Sequence, residues 1–190
     1  MPPRSPHKLL AAALVLAAAI PAQSLELNRL EPAASSFTFV FREMGVPVDG
    51  RFKQFSAQLD FDPAKPAAAS ARIDLDLASV DAGSNEANDE VVGKAWFDAK
   101  TYPQAHFEST AVRALGGNRY EVSGRIRIKG RSHEVAAPFT YTPQGQGGIF
   151  DGSFVLQRAD FAIGEGVWAD FGTVANEIQV HFHLQVAAAH

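Results

Sequence analysis

Strict alternation of apolar and polar residues constrains this chain more than any other feature. Between positions 177 and 186, one face carries Ile178, Val180, Phe182, Leu184 and Val186, and polar side chains occupy the positions between them. Successive side chains of a strand point to opposite faces, so the pattern predicts a half-buried antiparallel strand. Seven upstream segments share it, which predicts eight strands at roughly 36–44, 50–62, 70–78, 104–114, 119–130, 133–143, 148–158 and 174–186.

Short, turn-rich segments separate most of the predicted strands, but two connections are long. Residues 79–103 contain Ser84, followed by Glu86 and then Gly93. A capping residue, an acid in the first turn and a closing glycine predict one short helix in this connection. Residues 159–173 are rich in glycine, and we expect them to form a long ordered loop.

Eight consecutive antiparallel strands with one apolar face each predict an all-β fold, an up-and-down barrel, with a β-sandwich as the alternative. Strands of about twelve residues are ~40 Å long and, tilted by ~40°, would form a barrel ~30 Å tall. The inward face includes the small residues Ala57, Gly124, Ala137 and Gly152, which we expect to leave width for one slender ligand. The 14 phenylalanines fit a solid core equally well.

The first 24 residues have the pattern of a secretory signal peptide. Arg4 and Lys8 precede the apolar run Leu9–Ile20, and small residues follow up to Ser24. As a helix this run would rise only ~18 Å, too little for the ~30 Å hydrocarbon core of a membrane. Cleavage near residues 22–24 would leave one domain at 25–190. Since the chain has no cysteine, export predicts a location in the bacterial periplasm.

The charge of the exported chain argues against two classes of partner. Without Arg4 and Lys8, the 17 basic residues fall to 15 against 21 acidic ones, and the net charge goes from −4 to −6. A nucleic-acid partner would require a basic face, and so would electrostatic attachment to anionic lipid. No segment after the signal peptide is long and apolar enough to span a membrane.

Motifs that carry catalysis are missing from the sequence. It contains no nucleophile elbow, metalloprotease motif, phosphate loop or dinucleotide fingerprint. Ser132, His133 and Glu134 are consecutive in a strand and point to alternate faces, so they do not form a triad. His181 and His183 share a face but lack a third metal ligand, and we expect a solvated outer surface there. The sequence therefore predicts no catalytic residue, no cofactor and no metal site, and a protein that is not an enzyme.

Short motifs occur in order between about Leu30 and Leu184. They are Leu30-Glu31-Pro32-Ala33-Ala34-Ser35-Ser36, Gly50-Arg51-Phe52, Phe61-Asp62-Pro63, Trp96-Phe97-Asp98, Tyr102-Pro103 and Arg158-Ala159-Asp160-Phe161-Ala162-Ile163-Gly164. Together they resemble the YceI-like family of polyisoprenoid-binding, lipocalin-like periplasmic proteins of bacteria. The chain departs from the family pattern at Ala34, where a histidine is common, and at Asp89-Glu90-Val91-Val92, where the family often has D-x-H-L.

The resemblance implies an eight-stranded lipocalin-like barrel whose apolar tunnel holds a long isoprenoid lipid or a quinone-type tail. At ~0.3 kcal/mol per heavy atom, a forty-carbon chain would gain ~12 kcal/mol, so burial alone could give nanomolar binding. The period assigns the inward positions that we predict to bind the ligand: Phe55, Leu59, Ile73, Leu75, Phe107, Ile126, Phe139, Phe154, Ile178, Val180 and Phe182. We expect such a carrier to be a monomer or a homodimer.

Two other functions remain open on the sequence alone. One is a periplasmic enzyme acting on such a lipid, with Asp89, Arg158 and Asp160 as polar candidates near the mouth. The other is an accessory or stress protein whose barrel is filled and which acts through protein contacts. Arg158 and Asp160 are expected to be structural, with their opposite charges holding the adjacent loop.

Overall fold

The computed structural model describes residues 27–188, so the predicted signal peptide lies outside the described residues. These residues form antiparallel strands, one α-helix and several single turns of 3-10 helix. The strands are β1 (Leu27–Leu30), β2 (Ser36–Glu43), β3 (Val46–Phe52), β4 (Phe55–Asp60), β5 (Ser70–Asp76), β6 (Val80–Asp81), β7 (Gln104–Gly116), β8 (Arg119–Ile128), β9 (Arg131–Gln144), β10 (Gly147–Gln157) and β11 (Glu177–Ala188), with helix α1 (Asn85–Val91) between β6 and β7.

All the strands belong to one curled sheet in the order β4-β5-β7-β8-β9-β10-β11-β2-β3-β6, with β1 paired to β11. A sandwich would divide them between two sheets, so the barrel-like alternative is the correct one. β3 and β4 are consecutive in the chain, yet they pair with β2 and β5 at distant places in this order. The chain itself therefore joins the two sides of the sheet. A bridge between Leu27 and Phe61 adds a second connection, with Leu27 N donating to Phe61 O at 3.0 Å.

The predicted single strand 50–62 is wrong, because the chain bends at Lys53 and Gln54 and forms two strands. Counting β3 and β4 as one bent strand recovers the predicted eight, and β1 and β6 are short additions. β3 also begins earlier than predicted. The turn before it is formed by Met44 and Gly45, both at positive φ (47° and 83°). Such a two-residue turn matches the twist of the hairpin strands.

The short helix predicted in the connection 79–103 is confirmed as α1. The side chain of Ser84 accepts a hydrogen bond from the backbone N–H of Ala87 at 3.1 Å, and Glu86 lies in the first turn. After the helix, the N–H of Gly93 donates to the carbonyl of Glu90 at 3.0 Å. The capping signals in the sequence thus correspond to the observed start of the helix.

Aromatic side chains fill one end of the curled sheet, which we call the closed end. Phe61 is at its centre, with ring centroids 5.2 Å from Tyr120, 5.2 Å from Tyr141 and 5.0 Å from Phe150. These residues lie near the strand ends that antiparallel pairing brings together. Phe61 is 4% exposed and Leu27 is fully buried, so an apolar cluster fills the centre of this end.

At the opposite end, α1 and residues 158–174 cover the sheet. We call residues 158–174 the clamp loop. It contains two single turns of 3-10 helix, Arg158–Phe161 and Gly166–Trp168. Phe161 and Ile163 are buried against the ends of β8 and β10, in a cluster that also contains Trp96. The clamp loop is thus packed into a second core, which agrees with the prediction of an ordered loop.

Candidate functional site

A cavity of about 740 Å³ lies inside the curled sheet, between the closed end and the clamp loop. This volume is within the ~300–1,000 Å³ that is typical of small-molecule sites. Ten of the eleven predicted inward residues line it: Leu59, Ile73, Leu75, Phe107, Ile126, Phe139, Phe154, Ile178, Val180 and Phe182. Phe55 instead packs edge-on against Phe37, with ring centroids 4.9 Å apart. That these residues bind a ligand stays a prediction.

The middle of the barrel is open. Inward-facing side chains such as Phe39, Phe107, Phe154 and Val180 are only half buried, although the sheet surrounds them. In a filled core they would contact other side chains on every side and be fully buried. Fully buried side chains are grouped in two clusters, and the half-buried phenylalanines between them line a space.

The expectation that small inward residues border this space is wrong for the glycines. A Cβ atom on Gly124 would lie 2.6 Å from the ring of Phe107, and one on Gly152 would overlap the ring of Phe182 and lie 2.7 Å from the carbonyl oxygen of Pro138. The glycines therefore make room for neighbouring rings. Of the other predicted small residues, Ala137 lines the cavity and Ala57 is not among its lining residues.

The cavity opens beside α1, in a region that we call the mouth. Its exposed lining residues there include Glu43 at the end of β2 and Glu86 and Glu90 on α1. The indole N–H of Trp168 donates to Glu90 Oε1 at 2.7 Å, which ties the clamp loop to the helix. A second set of exposed lining residues, Asp60 and Ser70, lies where β4 and β5 meet at their other end.

Exposed apolar side chains surround the mouth. Met44 and Val46 on the β2–β3 hairpin are 74% and 62% exposed, and Val167 and Phe171 on the clamp loop are 86% and 50% exposed. The N–H of Met44 donates to the carbonyl of Thr173 at 2.8 Å, so the hairpin and the loop are joined. An apolar molecule entering the cavity would therefore pass an apolar rim.

Arg158 holds the clamp loop from inside the protein. It is 1% exposed, and all five of its N–H donors reach backbone carbonyls at 2.7–3.1 Å. The acceptors are Ile163, Gly164, Trp168, Val174 and Ala175. Its guanidinium also lies 5.6 Å from the Trp96 ring and 5.1 Å from the Phe171 ring. Burial lowers the pKa of this guanidinium, because desolvation disfavours the charged form.

The expected charge pair between Arg158 and Asp160 is not formed. Asp160 is exposed, and its backbone carbonyl is 3.1 Å from Nε2 of His133. Arg158 neutralises its charge with carbonyl dipoles, and within residues 27–188 it has no ion-pair partner. Its role in holding the loop is therefore as predicted, but the means are backbone acceptors and not a carboxylate.

His181 and His183 border a shallow polar groove on the outer face, together with Ser36 and Thr38. Nδ1 of His183 is 2.6 Å from Oδ1 of Asp151. In the part of the chain that the structure describes, no three His, Cys, Asp or Glu side chains are grouped so that they could hold a metal ion. Over the same residues, no helix has the length and apolarity to cross a membrane.

Several lining residues were not among the predicted site residues. Phe37, Phe39 and Phe41 line the cavity, and their period-two spacing was a sufficient signal. Trp96 and Glu90 also line it, but they lie outside the strands. Their placement depends on how the connection 79–103 packs on the barrel, which no local pattern reports.

Comparison with known proteins supports the fold and identifies the family. A model of the YceI-like domain matches residues 29–186. The crystal structure of BcnA from Burkholderia cenocepacia superposes with a TM-score of 0.80 at 47% identity, covering 82% of this chain and 98% of that one. A UPF0312 protein of Pseudomonas putida is 31% identical over 139 residues, which are 70% of this chain and 72% of the relative.

A more distant structure shares the fold. A polyisoprenoid binding domain from Saccharophagus degradans superposes with a TM-score of 0.66 at 16% identity, covering 88% of this chain and all (100%) of that domain. At this identity the likeness concerns the fold alone. The family model, in contrast, matches nearly all the described residues, and the resemblance drawn from the motifs is confirmed. The chain belongs to the YceI-like family.

Proposed function

We propose that this protein binds a long isoprenoid lipid, or the isoprenoid tail of a quinone-type lipid, in its cavity and carries it chemically unchanged. The observation that carries the proposal is the ring of half-buried apolar side chains around a 740 Å³ space. An apolar chain placed there would complete the contacts that these side chains lack. The polyisoprenoid binding named for the Saccharophagus degradans domain supports the same ligand class.

The cavity volume limits how much of such a chain can be enclosed. If each non-hydrogen atom needs about the ~30 Å³ that a water molecule occupies in the liquid, the cavity holds roughly 25 atoms, or about five isoprene units. At ~0.3 kcal/mol per atom this gives ~8 kcal/mol, which corresponds to micromolar affinity. A forty-carbon tail would therefore extend out of the cavity, where the apolar rim could cover it.

Carriage is favoured over catalysis because the polar candidates do not converge on the cavity. The N–H groups of Arg158 are all bonded to backbone carbonyls. Asp160 lies beside His133 on the surface, 3.9 Å from its Nδ1. Asp89 is exposed on α1 and is not a lining residue. None of the three is placed to act on a lipid in the cavity.

The proposal can be tested by extracting purified protein with organic solvent and analysing the extract by mass spectrometry. We expect an isoprenoid lipid in stoichiometric amount after expression in a bacterium. Delipidated protein should also take up geranylgeraniol, whose twenty carbons fit the estimated capacity. Protein that contains no lipid and takes up no geranylgeraniol would contradict the proposal.

We also propose that the protein is exported to the periplasm with removal of its first 24 residues. The support is the sequence pattern of residues 1–24, a segment that precedes the described residues. We expect the intact mass of protein from a periplasmic fraction to correspond to a chain beginning at Leu25. A chain that retains Met1 and sediments with membranes would show that the segment is an anchor.

A further inference from the structure

We infer that the cavity favours lipids whose polar end is uncharged or cationic, such as an alcohol, a quinone ring or an amine, over lipids that end in phosphate or diphosphate. The inference rests on the proposed function, because it concerns the head of the lipid whose tail fills the cavity. Three features support it: the charges at the openings, the engagement of the basic side chains and the apolar character of the closed end.

Carboxylates dominate the charged side chains at the mouth. Glu43, Glu86 and Glu90 all line the cavity and are exposed. Glu86 and Glu90 are four residues apart on α1 and therefore lie on the same side of the helix. Across residues 27–188 none of these three glutamates has an ion-pair partner. A phosphate held at the mouth would be repelled by all three, and Glu90 accepts only the indole N–H of Trp168.

The two buried basic side chains at this end of the sheet, Arg158 and Lys129, are already engaged. Arg158 lines the cavity but has no N–H left for a ligand. Lys129 donates to the carbonyls of Lys94 and Ala162 and to the carboxylate of Glu165. Phosphate recognition in proteins depends on arginine, lysine or free backbone N–H donors. The mouth offers carboxylates where such a ligand would need donors.

Two further basic groups do not change this balance. Arg42 lies on the opposite face of β2 from Glu43 and donates to the carbonyl of Gly45 at 3.2 Å. His106 is a lining residue, but its Nδ1 is bonded to the carboxylate of Asp74. Arg42 thus points away from the cavity lining, and His106 is already paired with a carboxylate.

The position of the lipid head does not alter the conclusion. A charged head cannot lie within the Phe61 cluster, because the cluster is apolar and buried and an unpaired charge there would be strongly penalised. If the head protruded where β4 and β5 meet, it would find Asp60, another exposed lining carboxylate. Each exposed part of the lining therefore presents negative charge to the head.

The experiment compares three ligands with one tail: geranylgeraniol, geranylgeranylamine and geranylgeranyl diphosphate. The chain contains only two tryptophans, Trp96 and Trp168, and both line the cavity, so a change in the intensity or wavelength of their fluorescence reports binding. At low ionic strength we expect the alcohol and the amine to bind at least about tenfold more tightly than the diphosphate. Since salt screens exposed charges, the difference should shrink at high ionic strength.

A neutral lipid leaves water more readily than a charged one, so some preference for the alcohol would exist even without the glutamates. A comparison of variants separates this effect from the contribution of the mouth. In the triple variant Glu43→Gln, Glu86→Gln, Glu90→Gln, the affinity for the diphosphate relative to that for geranylgeraniol should rise at least about threefold. The matched control is Glu134→Gln, on the outer face of β9 and paired with Arg125. It should leave all three affinities unchanged.

The outcomes separate this inference from the proposed function. Binding of all three ligands with equal affinity, or tightest binding of the diphosphate, would overturn the inference and leave lipid carriage standing. A triple variant that behaves like the parent protein would also overturn it, because the selectivity would then not come from the glutamates. Failure of all three ligands to bind would overturn both.

Discussion

Replacing Arg158 with methionine should lower the melting temperature by about 10 °C. The substitution keeps the aliphatic part of the side chain but leaves five carbonyls without their donors, and three of the lost hydrogen bonds are buried. Leaving a buried acceptor unsatisfied costs ~1–3 kcal/mol, so the loss of these bonds should cost at least ~3 kcal/mol in all. For a domain of this size, ~1 kcal/mol corresponds to ~2–4 °C. Thermal unfolding followed by circular dichroism measures the effect.

Arg125→Met is the matched control for this prediction. Arg125 lies on the exposed face of β8, where it pairs with Glu134, and exposed ion pairs contribute at most ~1 kcal/mol. The melting temperature of Arg158→Lys should lie between those of Arg158→Met and Arg125→Met, since an ammonium has three donors and cannot reach five carbonyls in a plane. Limited proteolysis of Arg158→Met should cut first within the clamp loop. If Arg158→Met and Arg125→Met had the same melting temperature, the clamp loop would not depend on the guanidinium of Arg158.

Replacing Val180 with tryptophan should reduce lipid binding by more than tenfold while the fold is retained. Val180 is half buried, lines the cavity and pairs with Phe39 and Phe154 on neighbouring strands. An indole there would displace roughly six ligand atoms, about 2 kcal/mol at ~0.3 kcal/mol per atom. Aromatic residues are well accommodated in strands, so pairing should survive. Lipid retention after purification, measured by extraction and mass spectrometry, gives the result.

Val155→Trp provides the control on the opposite face of the sheet. Val155 is 55% exposed and pairs with Gln179, the residue before Val180. We expect this variant to retain lipid and to melt close to the parent protein. In a filled core the inward substitution would instead overpack and cost ~1–3 kcal/mol. A large loss of stability in Val180→Trp, or lipid retention equal to that of Val155→Trp, would show that the cavity does not hold the tail.

Most of the strands could be predicted because alternation is a local property. The bend between β3 and β4 also had a local signal, which the prediction of one strand overlooked. Phe52 and Phe55 are three positions apart, so they cannot face the same side of an uninterrupted strand. The change of phase indicates that the strand breaks between them, where Lys53 and Gln54 form the bend.

The inner wall of the cavity was predictable for the same reason, whereas its mouth was not. Val180 and Phe154 face inward because of their place in the period. Arg158, Trp96 and Glu90 line the cavity because connections pack back onto the barrel, and such packing joins residues far apart in the chain. The hydrogen bond between Trp168 and Glu90 spans 78 positions. No pattern within a short window encodes it.

The glycines of the wall were misinterpreted for a different physical reason. The two-residue period of the strands places Gly124 and Gly152 on the inner face. It does not show which side chains occupy the space above them. That space belongs to the rings of Phe107 and Phe182, which come from adjacent strands. The missing side chain of each glycine therefore makes room for the ring of the neighbouring phenylalanine. It does not widen the cavity for a ligand.

These glycines have a consequence for how the bore of the barrel could be altered. Phe39 lies over Gly50 in the same way, and each of the three rings is also a lining residue. A methyl group on any of these glycines would push the phenylalanine ring above it toward the axis of the barrel. Residues that lie behind the lining side chains therefore set the width of the lumen. The same methyl group would meet a carbonyl oxygen of the adjoining backbone, at 2.9 Å for Gly50 and 2.7 Å for Gly152. A change at these glycines would therefore alter the width of the lumen and the strand pairing together. To change the width alone, substitutions have to be made at lining side chains such as Val180.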